Sequence, residues 1–524
     1  MAPWSRIRSR FFPHSRRRCA RSRTKGGTPS STSSSASDAV KGHEMSVIIE
    51  DILAEQRAAF RAEGFALART RRDRLTRLAR GVLSHERAFV EGLQEDFGNR
   101  SPFATRAGDI LGSVAAIEYH LAHFESWMQP ERVALPPEVE AHGTFAEVHY
   151  QPLGVLGAIV PWNGPVLMAC LAAMGGLAAG NRVMLKMSEL APATGAAFEA
   201  AIALYFDRGE LAVVNGDASV AATFASLPFD HLLFTGSTAT GRKVALAAAA
   251  NLVPVTLELG GKSPVIVGDT ADLKTVANRL VAGKLASAGQ VCVSPDYVLA
   301  PESKVDALVE RCRHAAADIF PQMMQDIDYT SLIDRRSNER MKALLADASR
   351  KGARVDFVPV DTTLENLPAS GRFPFAIITN ATDDMEVMQE EIFGPLLPII
   401  GVSGVSEALD RVSDGEHPLS AYYFGDDEQE AARVARAFQT GSVVINDVRC
   451  QLTYEALPFG GVGKSGMGRY RGRAGFVTFS NRKTVLHQKT SEAVLARGRP
   501  PYSQQAHDTI AQAIALKKAQ YEVD

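Results

Sequence analysis

Cys292 stands in the run Gly289-Gln290-Val291-Cys292-Val293, downstream of Val276, Leu280, Val281 and Leu285. The spacing of those four predicts a helix over 275–290, and Val291-Cys292-Val293 reads as the entry to a strand. A side chain at such a junction faces a crevice while its backbone is held. The thiolate is the nucleophilic form, and a free thiol with a pKa of about 8.5 is sparsely ionised at neutral pH. Thiol chemistry at 292 therefore needs a base or a positive field. It also needs donors for the oxyanion that forms when a carbonyl carbon is attacked.

Three further segments carry those residue types. Pro161-Trp162-Asn163 follows a buried apolar run and can aim the Asn163 amide at developing negative charge. Leu257-Glu258-Leu259-Gly260-Gly261-Lys262-Ser263-Pro264 sets Glu258 among apolar neighbours, where desolvation raises a carboxyl pKa toward that of a working base. Glu391-Ile392-Phe393-Gly394-Pro395 offers a carboxylate and an aromatic ring before a turn. The remaining cysteines, Cys19, Cys170, Cys312 and Cys450, are widely spaced and form no CxxC pair. A disulfide framework or structural zinc site is not expected, no metal-ligand cluster is visible, and a reducing compartment fits.

A fourth segment, Gly236–Lys243 (GSTATGRK), is a near miss for a phosphate loop. Arg242 occupies the place that such a loop gives to lysine, which argues against triphosphate hydrolysis. Gly236-Ser237-Thr238 nevertheless joins a strand ending at Phe234 to a helix, and free N–H groups at a helix start suit a pyrophosphate. A plain glycine turn with serine as the helix cap accounts for the same residues.

The elements that must position these groups follow an α/β rhythm. Met45 to about Gln129 is helical in pattern, with Leu75, Leu78, Val82, Phe89 and Leu93 on one face. Thr144–Tyr150 alternates like a strand. Short apolar runs at Val155–Val160, Arg182–Leu185, His231–Phe234 and Pro264–Val267 then alternate with alanine-rich helical stretches. A second series runs through Tyr297–Leu299, Phe375–Ile378 and Leu397–Ile400. Short buried strands separated by helices predict doubly wound parallel sheets.

At 524 residues the chain is expected to form two or three domains. With 46% hydrophobic and 22% charged residues it has a globular composition, and it lacks any apolar run long enough to span a membrane. Residues 1–44 hold ten Arg or Lys against Asp38 and Glu44, a net of +8. The rest is mildly acidic and gives no reason to expect nucleic acid as a partner. The Arg- and Ser-rich leader reads either as an organellar import signal or, the preferred reading, as sequence preceding a true start at Met45. The expected location is the cytoplasm.

Taken together, LELGGKS around Glu258, GQVC at Cys292, PWN at Pro161–Asn163, FTGST at Phe234–Thr238, EIFGP at Glu391–Pro395 and PFGG at Pro458–Gly461 resemble the aldehyde dehydrogenase superfamily from about Met45 to Lys489. The likeness is to the class 3 branch, and within it to bacterial coniferyl-aldehyde dehydrogenases. It is carried by Gln290–Tyr297 (QVCVSPDY), Ile445–Val448 and Leu457–Tyr470 (LPFGGVGKSGMGRY). Arg471 departs from a histidine often found there.

The resemblance implies Cys292 as nucleophile, Asn163 and the Cys292 N–H as oxyanion hole, and Glu258 as the base for the hydrolytic water. It implies NAD, with NADP possible, held by Lys186 and Glu189 at the adenosine ribose, Gly236 and Ser237 at the pyrophosphate, and Glu391 and Phe393 at the nicotinamide end. The implied fold is two αβα domains and a small bridging antiparallel sheet. The nucleotide-binding domain would take 45–131 and 153–257 and the catalytic domain 258–440. The bridging region would take 132–152 and 441–490, with a tail from 491 to 524. A homodimer is expected across the bridging sheet. The implied reaction is NAD(P)-dependent oxidation of an aromatic, coniferyl-like aldehyde to the acid. Medium-chain aliphatic aldehydes, or a catalytically retired NAD-binding relative, are the alternatives.

Overall fold

The computed structural model describes residues 33–522, with side chains from Val47 onward. The expected leader lies outside the described residues as far as residue 32. Helix Ser33–Glu63 opens the described residues. Helices Ala68–Ser84, Glu86–Phe97 and Gly112–Trp127 follow. Leu75, Leu78, Val82, Phe89 and Leu93 are all buried, as their spacing predicts.

A six-stranded sheet takes the spatial order Gly466–Met467, Val255–Glu258, His231–Thr235, Val155–Ile159, Arg182–Lys186, Leu211–Val214. Its strands are parallel except for Gly466–Met467. The chain enters at Val155–Ile159, winds outward through Arg182–Lys186 to Leu211–Val214, then returns to lay down His231–Thr235 and Val255–Glu258 on the other side. The winding therefore reverses between Val155–Ile159 and His231–Thr235. A crevice opens beyond the carboxyl ends of strands at such a reversal, and ligands bind there.

Helix Pro165–Ala179 leaves the strand that begins this sheet and is buried along nearly its whole length. Proline occupies its first turn, and Gly180, at φ +93°, ends it. The Gly180 and Asn181 N–H groups return to the carbonyls of Leu177 and Gly176 at 3.0 Å each, which satisfies the last turn. A Cβ on Gly176 would lie 2.6 Å from Val183 and 2.9 Å from Leu156. Glycine there lets the helix press directly onto two central strands.

A seven-stranded sheet has the order Arg354–Val358, Phe375–Thr379, Leu396–Val402, Tyr297–Pro301, Pro264–Val267, Ser420–Phe424, Ser442–Ile445. Only Arg354–Val358 runs antiparallel. A three-stranded antiparallel sheet joins Glu131–Val133, Phe145–Pro152 and Ser480–His487, with Ser480 opposite Pro152 and His487 opposite Phe145. The fold is thus α/β with two parallel sheets. The stretch 441–490, expected to belong to the small sheet, supplies a strand to all three, because Ser442–Ile445 and Gly466–Met467 complete the edges of the larger two. Helix Gln504–Gln520 in the tail is exposed at every position but Ala506.

The strand expected at 291–293 is absent. The helix ends at Leu285 and a 3-10 turn follows over Ala286–Gly289. Ser294 N–H then bonds the Val291 carbonyl at 2.8 Å, leaving Cys292 in a tight turn, and the strand begins only at Tyr297. The cause is local. Ser287, Ala288 and Gly289 all take positive φ, which neither helix nor strand can continue.

Candidate active site

Four of the expected site segments sit at carboxyl ends of strands in the six-stranded sheet. Asn163 follows Val155–Ile159, Lys186 and Glu189 follow Arg182–Lys186, Gly236 and Ser237 follow His231–Thr235, and Glu258 ends Val255–Glu258. Cys292, Glu391 and Phe393 arrive from the connections of the seven-stranded sheet. Direct contacts join the two groups. The Asn163 side-chain amide donates to the Gln290 carbonyl at 3.0 Å. Trp162 meets the Phe393 ring edge-on at 5.4 Å, and Phe97 stacks behind Trp162 at 5.9 Å.

The turn carrying Cys292 is tied down on several sides. Buried Gln290 donates to the Ser287 and Ser331 carbonyls at 3.0 Å each and accepts from Ile333 N–H at 3.0 Å. Tyr422 O–H donates to the Val293 carbonyl. Asp296 N–H bonds the Ser263 carbonyl at 2.8 Å, and Asp296 accepts from Ile392 N–H at 2.9 Å. The Glu258–Ser263, Gly289–Asp296 and Glu391–Pro395 segments are therefore cross-linked into one rigid frame, as a positioned nucleophile requires.

Glu258 is 2% exposed, and neither carboxylate oxygen has a hydrogen-bond partner. Burial holds its carboxyl well above the usual range, opposed by the charges of Arg469 and Arg471. The Glu391 carboxyl is pushed up to about 8 by burial and by the charge of Asp296, against the Gly261 N–H, Arg340 and Lys262. Half-buried Cys292 has its thiol pushed up to about 12, first by burial and then by Glu391 and Glu258, with Arg449 opposing. Three acidic groups in one water-poor pocket resist simultaneous ionisation.

Two glycines shape the expected cofactor positions. Glycine at 236 keeps the turn into helix Thr238–Ala249 open, since a Cβ would lie 2.6 Å from the Phe234 ring. Glycine at 260 admits the Glu391 carboxylate, which would lie 1.8 Å from a Cβ there. Ser237 caps the helix, its hydroxyl accepting from Thr240 N–H at 3.3 Å. The capping reading therefore holds for that side chain, and backbone N–H groups remain for a phosphate. Lys186 is fully buried, donating to the Met187 and Gly216 carbonyls at 2.5 and 2.8 Å, while Glu189 is exposed. Three strand spacings separate Lys186 from Glu258, about 14 Å along the sheet end.

Some supporting residues escaped the sequence reading. Arg100 donates to the Asn163 backbone carbonyl at 2.8 Å and pairs with Asp109 at 2.7 Å, both side chains buried. Arg449, at φ +61°, donates to the Gly283 carbonyl at 3.0 Å and places its charge near the Cys292 thiol. Neither arginine lies in a recognisable motif, and each reaches the site from a segment distant in sequence. Among the described residues no group of three or more His, Cys, Asp or Glu is arranged to hold a metal ion, and no helix is long and apolar enough to cross a membrane.

Residues 40–485 match the model of the aldehyde dehydrogenase family. A coniferyl aldehyde dehydrogenase of Pseudomonas sp. is 46% identical over 83% of this chain and 90% of its own length. Staphylococcus aureus AldH, solved in a substrate-bound state, is similar with a TM-score of 0.78 and 33% identity, over 84% of this chain and 94% of its own. An indole-3-acetaldehyde dehydrogenase of P. syringae, solved in complex with NAD+, matches with a TM-score of 0.74 and 25% identity, over 84% and 89%.

Proposed function

The chain belongs to the aldehyde dehydrogenase family, and from that premise we propose that it oxidises aryl-conjugated aldehydes of the coniferyl type through a covalent intermediate on Cys292. Aldehyde oxidation with NAD(P) follows from the family. The observation that carries the roles is the convergence on one turn of the Asn163 amide, anchored 3.0 Å from the Gln290 carbonyl, and the unpartnered Glu258 carboxyl.

The Cys292 thiol gives up its proton to Glu258, which passes it on to solvent; the sulfur then bonds to the aldehyde carbon, and the carbonyl oxygen becomes an oxyanion facing the Asn163 amide and the Cys292 N–H. A nicotinamide held at Glu391 and Phe393 would supply the acceptor for the hydride released when the former aldehyde C–H bond breaks and the carbonyl re-forms. A thioester remains on Cys292. Glu258 takes a proton from water as the water oxygen adds to the acyl carbon, and sulfur leaves as the carbon–sulfur bond breaks. Asn163 also serves this second addition, because the oxyanion forms again at the same carbon.

An aromatic substrate is supported by the coniferyl aldehyde dehydrogenase relative and by Phe459 and Tyr470, whose rings belong to the apolar cluster that Cys292 packs against. Glu189, exposed at the adenosine end, repels a 2′-phosphate and favours NAD over NADP. A homodimer is supported by strand Ser480–His487, which ends its sheet with an outer edge unpaired among the described residues. The free thiols Cys170, Cys292, Cys312 and Cys450 favour a reducing compartment, the cytoplasm. The deciding experiment is steady-state NAD reduction across cinnamyl, benzyl and straight-chain aldehydes. Higher kcat/KM for the cinnamyl series is expected, and a large advantage for straight-chain aldehydes overturns the substrate class while leaving the family intact.

A further inference from the structure

Two segments distant in sequence from Asn163 and Cys292 complete a ring of hydrogen bonds between them. Gly98, at φ +69°, stops helix Glu86–Phe97. Pro102 opens the next short helix with Ser101 as its cap, accepting from Ala104 N–H at 3.1 Å. Asn99-Arg100-Ser101 is therefore a short arm held at both ends, and all three residues are buried. Arg100 Nη1 donates to the Asn163 carbonyl at 2.8 Å. The Asn163 amide donates to the Gln290 carbonyl at 3.0 Å, and Gln290 Nε2 donates to the Ser331 carbonyl at 3.0 Å. Ser331 N–H returns to the Asn99 carbonyl at 2.9 Å. The ring closes through the Asn99–Arg100 peptide bond.

The Asn99 side chain fixes the far side of this ring. Its Nδ2 donates to the Tyr329 carbonyl at 2.8 Å and to the Ile327 carbonyl at 3.2 Å, and the Ser101 hydroxyl donates to Asp328. Loop 327–331 is anchored independently by fully buried Tyr329, whose O–H donates to the Phe373 carbonyl at 2.7 Å, just before strand Phe375–Thr379. A side-chain amide carries two N–H donors. One of those on Asn163 is spent on Gln290, which orients the amide and leaves the second N–H for an oxyanion. That single contact is a pivot. With the Asn163 carbonyl held by Arg100, and Gln290 held through Ser331 and Asn99, the pivot becomes a frame, and exclusion of water strengthens each bond in it.

We propose that Asn99 is a positioning residue for the oxyanion hole: it ties loop 327–331 to the arm that carries Arg100, and so sets the placement of the Asn163 amide against the Cys292 turn. The proposal rests on the reading of Asn163 as oxyanion donor. Asn99 acts only through Ser331, Gln290 and Arg100, so its influence must pass through Asn163.

The test is a double-variant cycle read by single-turnover NADH formation in the full-length enzyme, with cinnamaldehyde and NAD. N99A should slow this step about tenfold at saturating aldehyde, as a displaced near-attack geometry does. The half-saturating aldehyde concentration should change by less than about twofold. In an N163A background the amide to be positioned is gone, and adding N99A should change the rate by less than about twofold. A purely structural support would slow both backgrounds alike. Thermal melts report on folding. Should N99A melt well below the wild type, D328A, at an exposed position of the same loop, takes its place and should show the same dependence on background with a drop of about threefold. Equal slowing in both backgrounds, or wild-type NADH formation in the well-folded variant, overturns the proposal alone. An N163A enzyme as fast as the wild type overturns the reading of Asn163, and the proposal with it.

Discussion

Gly289 and Gly394 meet backbone to backbone: a Cβ on Gly289, at φ +77°, would lie 2.3 Å from the Gly394 carbonyl oxygen. The turn before Cys292 is thereby pressed against the segment that carries Glu391 and Phe393. G289A should push the two apart and strain the positive φ as well. The expected cost is about 1–3 kcal/mol of stability, read by thermal or chemical unfolding. Activity should fall further than stability, since the thiol and the nicotinamide-end residues lose their registry together. A variant with wild-type kcat would show that this contact does not align the site.

How much of this frame was legible in sequence depends on its range. Apolar runs such as Pro264–Val267 and Val155–Val160 became strands because short β-rich segments between helices have few other places to go. Val291–Val293 misled for a stated reason. Its residues favour a strand, yet Ser287, Ala288 and Gly289 just upstream all take positive φ. Arg100 and Arg449 were invisible in sequence, because each acts through a partner that only the folded chain brings close. Glu258 was readable, because its apolar neighbours in sequence are also the source of its burial.

The Cys292 thiol offers a direct pH readout. With its pKa pushed up to about 12, the thiol in the cofactor-free enzyme should alkylate slowly at pH 7, the rate rising as pH climbs through 9 and above. A nearby negative charge opposes thiolate formation, so removing one favours it. E391Q should therefore move the iodoacetamide rate profile to lower pH and raise the rate at pH 9 by up to about tenfold. A shift in the opposite direction would mean that Glu391 is neutral throughout and acts on the thiol by hydrogen bonding.

The Asn163 amide should matter only once charge develops on the substrate oxygen. N163A removes that donor, and kcat should drop about 100- to 1000-fold with a much smaller change in KM. Aldehyde turnover followed by NADH absorbance gives both constants. A change confined to KM would place Asn163 in ground-state binding and leave the oxyanion to the Cys292 N–H alone.

Asn163 has its own support, and that support can be separated from stability. Arg100 holds the Asn163 backbone carbonyl and is neutralised by Asp109 in a buried pair at 2.7 Å. R100M alone leaves Asp109 buried and unpaired, which should cost about 3–5 kcal/mol; part of any lost activity would then reflect unfolding. The double variant R100M/D109L removes both charges and should recover most of the stability, because a buried pair exchanged for apolar side chains is often close to neutral. The Asn163 carbonyl still lacks its tether in that protein. We therefore expect the double variant to melt near the wild type and yet turn over at least about tenfold more slowly, the cost of a loosened near-attack geometry. Full activity in the well-folded double variant would show that helix Pro165–Ala179 and the Gln290 contact suffice to aim Asn163, and that the Arg100–Asp109 pair serves packing alone.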